Sequence, residues 1–167
     1  MSGNNNLMNG IMRLAGDFVG RPMGVLVGKT IVKIEIDKEE QAYLRFTDDH
    51  EKQYTFIAEG DCCSESWFYH VLGVDTLLGN EITGGQSVEM GEIDDGKTRQ
   101  EYDELYKITL ITNKGMSDIE FRNSSNGYYG GWLSYLEDNN NPVKWNWKTK
   151  KHDIPIVWKE ITEDYTA

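Results

Sequence analysis

A chain of 167 residues with 11% aromatic residues is long enough to bury its own core and too rich in Trp, Tyr and Phe for a disordered protein. Its formal net charge is −11, and no apolar run approaches the ~18 residues that a membrane helix needs. The N-terminus also lacks the basic-then-apolar layout of a secretion signal, so the sequence predicts a cytoplasmic protein without a membrane segment.

The negative charge is concentrated in the middle of the chain. Residues 1–60 have a net charge of −2, residues 61–141 of −10 and residues 142–167 of +1. The middle segment repels phosphate, so direct nucleic-acid binding is not expected unless the basic C-terminal stretch is presented alone. The charge favours a basic protein partner, for example one that binds nucleic acid. A surface that simply keeps the protein soluble explains the same charge.

Residues 1–26 are predicted to form an N-terminal arm. Apolar residues in "LMNGIMRLAGDFV" recur at helical spacing and indicate a short amphipathic helix, which docks either on its own domain or on a partner. These residues are Leu7, Met8, Ile11, Met12, Leu14, Ala15 and Phe18. The following "GRPMGVLVGKT" has the glycines and proline of a loop that leads into a strand.

Residues 27–141 are predicted to form a β-rich core domain. "KTIVKIEID", "QAYLRFTD" and "QYTFIAEGD" are separated by short polar turns and indicate an antiparallel three-stranded meander. "WFYHVLG" and "VDTLLGN" indicate one helical turn or an irregular crossing, and "NEITGGQSVEMGE" indicates a strand broken at its glycine pair.

The most acidic part of this core, residues 89–104, lacks periodicity and is predicted to be a mobile surface loop. It supplies a candidate interaction surface made of Glu92, Asp94, Asp95, Glu101, Asp103 and Glu104. Alternation resumes in "LYKITLITNKG" and "MSDIEF", and residues 126 and 127 have the chemistry of a turn before a strand that starts at Tyr128 and Tyr129.

Residues 142–167 are predicted to be an extension that forms a strand pair. Trp145 and Trp147 share one face, and Ile154, Ile156 and Trp158 share another, so the lysines between them are expected on the solvent face. Interleaved aromatic and basic residues would also suit stacking on bases, which is the alternative interpretation. The whole pattern predicts a mainly β (β-rich α+β) protein, an antiparallel meander forming a small barrel or sandwich with one or two short helices.

The stretch "EGDCCSESWFYH" contains the only two cysteines. Asp61, Cys62, Cys63 and His70 have donor atoms that zinc accepts, but zinc thiolates are usually two to four residues apart and adjacent strand residues point to opposite faces. His70 is the candidate base for a Cys nucleophile, but no oxyanion-hole motif and no orienting triad partner can be identified. We therefore expect no metal, no cofactor and no enzyme activity, with one cysteine packed inward and the other facing the next layer or solvent.

The segments "VGKTIVKIEID", "GDCCSESW", "LLGNEI" and "DIEFRNSSNGYYGGWLSYLE" together resemble a family of small domains of unknown function from bacteriophage and bacterial proteins. The resemblance covers residues 27–137. It implies that the "DCC" and "SNGYY" motif positions are candidate binding residues. These are Asp61, Cys62, Cys63, Asn126, Gly127, Tyr128 and Tyr129.

The sequence thus leads to one functional hypothesis with two alternatives. The first is a small acidic phage-type protein that binds another protein, as an inhibitor of a host enzyme or of an anti-phage defence system. The alternatives are a metal- or thiol-dependent activity at residues 61–63, and a structural or assembly component of a virion. The sequence does not decide the oligomeric state.

Overall fold

The computed structural model describes residues 17–127, 130–137 and 141–167. Within these ranges a 3₁₀ helix, Pro22–Leu26, precedes the first strand, and one α-helix, α1, spans Val74–Leu77. The strands are, in chain order, β1 (Ile31–Asp37), β2 (Tyr43–Asp48), β3 (Gln53–Gly60), β4 (Glu65–Leu72), β5 (Ile82–Ile93), β6 (Tyr102–Thr112), β7 (Gly115–Ser125), β8 (Gly131–Tyr135), β9 (Val143–Asn146), β10 (Lys151–Pro155), β11 (Trp158–Glu160) and β12 (Tyr165–Thr166).

These strands form two antiparallel sheets and a separate strand pair. Sheet A has the order β11-β1-β2-β3-β8, sheet B has the order β12-β4-β7-β6-β5, and β9 and β10 form the ribbon. The predicted meander β1-β2-β3 is confirmed, as is the β6–β7 hairpin. The β-rich antiparallel fold class is also confirmed. Among the described residues the strands close no barrel, so the sandwich is the correct form of that prediction.

One hydrophobic core lies between the two sheets. Its largest contributions are Ile34, Ile36, Leu44, Phe46 and Phe56 from sheet A and Phe68, Ile108, Leu110, Ile119 and Phe121 from sheet B. In β1 and β2, Ile34 lies directly opposite Phe46, and the Phe46 ring meets the Phe56 ring edge-on at 5.8 Å. The inward residues of both sheets therefore interdigitate as in a face-to-face sandwich.

Strand β4 corrects the prediction of a helical turn or irregular crossing at "WFYHVLG". Trp67, Phe68, Tyr69 and Val71 are all buried, because this strand is covered on both of its faces. The register with β7 also shifts between Phe68 and His70, and a bulge of this kind breaks the period-two pattern. Only the "VDTL" part of the prediction is helical, as α1.

Strand β5 corrects two further predictions. It continues through its glycine pair to Ile93, and β6 begins at Tyr102, so the predicted loop over residues 89–104 is confined to residues 94–101. A Cβ atom at Gly85 would lie 2.7 Å from the Phe18 ring. The glycine therefore admits Phe18 to the core instead of interrupting the strand.

The C-terminal residues contribute to three different sheets. β9 and β10 pair as predicted, whereas Trp158 lies in β11 on the edge of sheet A and Tyr165 in β12 on the edge of sheet B. Trp158 is therefore not on the same strand as Ile154. At the other terminus, residues 17–19 are helical. Most of the predicted amphipathic helix, Leu7 to Ala15, lies outside the described residues.

No helix among the described residues has the length and apolar composition needed to cross a bilayer.

Candidate functional site

The two motif segments named in the sequence meet at one end of the sandwich. The cysteine corner, residues 61–63, lies in the connection between β3 and β4, and Asn126, Gly127 and Gly130 lie between β7 and β8. The Asp61 backbone N–H donates to the carbonyl of Gly130 at 3.2 Å, and the Gly130 N–H donates to the Asp61 carboxylate at 3.4 Å. Asn126 and Gly127 follow β7 at this same end, whereas Tyr128 and Tyr129 lie outside the described residues.

Both cysteines face solvent, so the prediction that one packs inward is wrong. The Ser64 N–H donates to the Asp61 carbonyl at 3.0 Å, which makes Cys62 and Cys63 the central residues of a β-turn. The φ angle of Cys63 is +71°, as the third position of a type II turn requires. Side chains at the central positions of such a turn point away from the body of the protein.

The two thiols lie close to each other. Their Sγ atoms are 3.1 Å apart, and this sulfur–sulfur hydrogen bond raises the pKa of the Cys63 thiol. A raised pKa reduces the thiolate fraction at neutral pH, and the thiolate is the form that attacks electrophiles or binds metal.

His70 does not come back to the cysteine corner. It is five residues after Glu65, which places it about 16 Å along β4 at ~3.3 Å per residue. Its Nδ1 atom lies 2.9 Å from Thr166 Oγ1 and its Nε2 atom 3.8 Å from the Glu120 carboxylate. Among the described residues, no group of three His, Cys, Asp or Glu side chains is arranged to hold a metal ion.

A polar cluster lies directly beneath the cysteine corner. Asn123 is fully buried on β7, and its side-chain amide donates to Ser64 Oγ at 3.0 Å and to Ser66 Oγ at 2.9 Å. A Cβ atom at Gly131 would lie 2.8 Å from the Asn123 Cβ, so only glycine fits where β8 crosses this cluster. The cluster fixes the position of the corner relative to the start of β8.

An acidic cleft of about 380 Å³ opens beside these segments. It is lined by Glu92, Tyr102, Glu104, Ser125, Asn126 and Gly127. Glu92 and Glu104 are direct partners across β5 and β6, so their side chains point to the same face of sheet B. Neither forms an ion pair within the described part of the chain.

Tyr106 lies between the acidic cleft and the hydrophobic core, where it contacts both Glu104 and Phe121. Its hydroxyl donates to the Glu104 carboxylate at 2.6 Å and accepts the Gly131 N–H at 3.2 Å. Burial and the bond to Glu104 raise the pKa of Tyr106 to about 12, so the phenol stays neutral. The ring stacks on Phe121 with centroids 4.7 Å apart. A second cleft of about 280 Å³ follows, with mostly apolar walls that include Phe18, Ile108 and Leu133.

Asp95 and Asp103 were predicted to belong to the interaction surface. Unlike Glu92 and Glu104, they form ion pairs with Arg122. Asp103 is 1% exposed and binds Arg122 Nη1 at 3.2 Å, and Asp95 binds Arg122 Nη2 at 2.6 Å. The hydrogen bond from Arg122 lowers the pKa of Asp95 to about 2. These two carboxylates neutralise a buried guanidinium. Of the remaining predicted acids, Asp94 and Glu101 are exposed.

The connection over residues 94–101, which we name the outer loop, is fastened to the outer face of sheet B. The Arg122 guanidinium lies 3.7 Å from the centre of the Tyr69 ring, and the Arg99 guanidinium lies 3.9 Å from that of Trp67. The Gln100 N–H donates to Ser124 Oγ at 2.8 Å, and its side chain donates to the Cys63 carbonyl at 3.0 Å. These contacts attach the loop to sheet B, and its mobility stays a prediction. The sequence reasoning did not identify Arg122.

Two comparisons place the chain among known sequences. The family model described as "Domain of unknown function (DUF7448)" matches residues 25–134, close to the coverage expected from the resemblance. The chain is also similar to "Uncharacterized protein L278" of Acanthamoeba polyphaga mimivirus, with 31% identity over 106 residues that make up 62% of this chain and 83% of the relative. No solved structure matches the chain significantly. A bacteriophage or bacterial origin, and the family roles of the two motifs, stay predictions.

Proposed function

The chain belongs to the DUF7448 family of domains of unknown function, and on that premise we propose that it is a viral-type protein that binds a basic protein through its acidic cleft. The observation that carries the proposal is the placement of Glu92 and Glu104 directly opposite each other. The similarity to a mimivirus protein supports the viral setting.

The facing glutamates favour a cationic ligand for an energetic reason. Like charges directly opposite on neighbouring strands destabilise a sheet, by up to ~1 kcal/mol. A lysine or arginine of a partner that enters between Glu92 and Glu104 removes this repulsion and forms ion pairs with both. The repulsion between the two glutamates in the free protein is relieved on binding and therefore contributes to the binding free energy.

The shape and the surroundings of the cleft support the same ligand class. Its volume of about 380 Å³ falls within the range of ~300–1,000 Å³ usual for ligand pockets. Tyr102, which lines the cleft, is 44% exposed, and a tyrosine ring is a good partner for an arginine side chain. The net charge of −10 over residues 61–141 extends the attraction beyond the cleft and accelerates association with a basic surface.

Binding of this kind leads directly to an inhibitory function. A basic surface that contacts nucleic acid is blocked when an acidic protein occupies it, because the two polyanions compete for the same cations. The proposal therefore assigns the chain to the inhibitors of a host enzyme or of a defence system that handles nucleic acid. It assigns the chain no catalytic step.

A capture experiment with matched variants tests the proposal. Wild-type protein, Glu92→Gln/Glu104→Gln and the control Glu81→Gln/Glu163→Gln are each immobilised and exposed to host lysate at low and moderate salt. Glu81 and Glu163 are exposed, and Glu81 precedes β5 whereas Glu92 is near its far end, so the control removes equal charge elsewhere. We expect a defined basic protein on the wild type and the control, and its loss from the cleft variant and at moderate salt. Recovery of the same proteins by all three baits, or of none, would refute the proposal.

A thiol- or metal-dependent activity at residues 61–63 is the second candidate, and the observation that favours it is the solvent exposure of both thiols. Elemental analysis of the purified protein separates the two candidates. About one equivalent of zinc that is lost in Cys62→Ser or Cys63→Ser would favour the metal site over the acidic cleft.

A further inference from the structure

The ribbon turns the aromatic face of β9 toward solvent and the Lys144 side chain toward the body of the protein. Val143, Trp145 and Trp147 are exposed along β9 and its turn, whereas the alternate residues Lys144 and Asn146 are half-buried. The expectation that the lysines simply occupy the solvent face is therefore wrong for Lys144. Trp147 is 75% exposed, and large aromatic residues displayed in this way usually mark a binding surface.

Lys144 holds the ribbon against sheet A. Its Nζ atom lies 2.8 Å from the carboxylate of Asp37, which is fully buried at the end of β1, and 3.5 Å from that of Glu40. A buried, paired cation of this kind orients the strand that carries it. The opposite, aromatic face is thereby directed away from the body of the protein.

The turn of the ribbon is fixed by three hydrogen bonds. The Lys150 N–H donates to the Asn146 carbonyl at 2.8 Å, the Lys148 N–H to the Asn146 side chain at 2.9 Å, and the Thr149 hydroxyl to Asp153 at 2.7 Å. Because the turn is ordered before any ligand arrives, binding to it costs less conformational entropy.

Three rings and three cations share this small element. The Trp145 ring meets the Trp147 ring edge-on at 5.9 Å and the His152 ring at 5.0 Å. Lys148, Lys150 and Lys151 are exposed around the turn, with the Lys150 ammonium 5.2 Å from the centre of the Trp147 ring. The ribbon is thus a basic and aromatic element on a chain of net charge −11.

We propose that the ribbon binds a single strand of nucleic acid, whose bases stack on Trp147 and Trp145 and whose phosphates contact Lys148 and Lys150. Exposed rings beside cations are the arrangement that single-strand-binding proteins use. A duplex keeps its bases stacked internally and offers no free base faces to these rings. Stacking and phosphate contacts do not involve the 2′-hydroxyl, so the ribbon takes DNA and RNA alike.

The positions of the charges distinguish this ligand from a lipid surface. The turn, which is the part of the ribbon that would enter a bilayer first, consists of Trp147, Lys148, Thr149 and Lys150. Two ammonium groups at the leading end oppose insertion into hydrocarbon. The proposal is independent of the acidic cleft, because it rests on other residues and another ligand.

Fluorescence anisotropy of labelled oligonucleotides tests the proposal. The full-length protein is titrated into oligothymidine and oligouridine of about 15 nucleotides at about 20 mM and about 150 mM NaCl. We expect both to bind with a similar affinity, and with a slope of log K against log salt of about −1.4, since two phosphate contacts release about 0.7 counterions each. Trp147→Ala should weaken binding about tenfold.

Two further variants make the result decisive. Lys148→Ala/Lys150→Ala should abolish most of the salt dependence, whereas Trp132→Ala, which removes an exposed tryptophan of sheet A, should leave the affinity within about twofold. Failure of the wild type to bind, or equal losses in Trp147→Ala and Trp132→Ala, would overturn the proposal. Binding to phosphatidylglycerol vesicles without binding to either oligonucleotide would overturn it in favour of a membrane ligand.

Discussion

The acidic stretch around β6 places carboxylates on both faces of sheet B, and among the described residues a cation of the chain neutralises them on only one face. Asp103 and Glu104 are neighbours in sequence, so their side chains leave β6 on opposite faces. Asp103 points to the outer face, where Arg122 neutralises it together with Asp95. Glu104 points to the cleft face, where it meets Glu92. The outer-face acids therefore stabilise the fold, and the cleft-face acids carry a cost that a ligand can remove.

Of the variants that test this difference, replacement of Arg122 should have the largest effect on the free energy of unfolding. Arg122→Met leaves Asp103 buried without a cation, and breaking a buried ion pair in this way costs about 3–5 kcal/mol of unfolding free energy. Urea denaturation followed by tryptophan fluorescence measures the loss. Asp95→Asn/Asp103→Asn/Arg122→Met removes all three charges and should recover about half of it. A loss below about 1 kcal/mol in Arg122→Met would show that the outer-face pairs are not structural.

Acidification should have the second-largest effect, because it weakens the ion pair between Asp95 and Arg122 on the outer face. The pKa of Asp95 is about 2 in the folded protein against 3.8 for an ordinary aspartate. Because the folded pKa is the lower one, its stabilising contribution is present above 3.8 and is lost as the pH falls toward 2. The urea midpoint should fall more steeply between pH 5 and pH 2 in the wild type than in Asp95→Asn. Glu101→Gln, from the same loop, should keep the wild-type slope. Equal slopes of the urea midpoint against pH for Asp95→Asn and the wild type would contradict the lowered pKa of Asp95.

Neutralising the cleft face should act in the opposite direction and more weakly. Glu92→Gln/Glu104→Gln should raise the unfolding free energy by up to about 1 kcal/mol at low salt, because the facing charges repel each other. High salt should reduce the gain by screening. Glu81→Gln/Glu163→Gln should give no comparable gain in the same urea titrations. A destabilised Glu92→Gln/Glu104→Gln protein would mean that these acids support the fold, as those of the outer face do.

The cysteine corner should show the smallest effect. Both thiols are exposed, and surface substitutions usually change stability by less than about 0.5 kcal/mol. Cys62→Ser and Cys63→Ser should therefore unfold at nearly the wild-type urea concentration. A loss of about 2 kcal/mol in either variant would indicate a packed thiol, as expected from the sequence alone, and would contradict the exposed turn.

The sequence predicted most of the fold, because polar and apolar residues alternate clearly along several of its strands. β1, β2, β6 and β7 alternate in this way and were identified correctly. β4 was not, since the outer loop covers its second face and a bulge shifts its phase at Tyr69. The limits of the acidic loop were also wrong, because β5 and β6 extend well into residues that show no apolar periodicity.

The site was less predictable, because alternation along a strand shows which residues share a face but not which of the two faces is buried. The pattern of the ribbon correctly separated Trp145 and Trp147 from Lys144, but Lys144 turned out to be on the inner side, where it binds Asp37. Arg122 lies on the polar side of the alternation in "DIEFRN", so the sequence did not indicate that the outer loop would bury it. A buried charge requires partners, and two nearby aspartates supply them.

The account depends most directly on the affinity of the cleft for its partner. The dissociation constant of the captured basic protein should be measured at low salt for the wild type, Glu92→Gln/Glu104→Gln and Glu81→Gln/Glu163→Gln. The account predicts a loss of at least about tenfold, ~1.4 kcal/mol, for the cleft variant and a change below about twofold for the control. Equal affinities for the wild type and the cleft variant would contradict it.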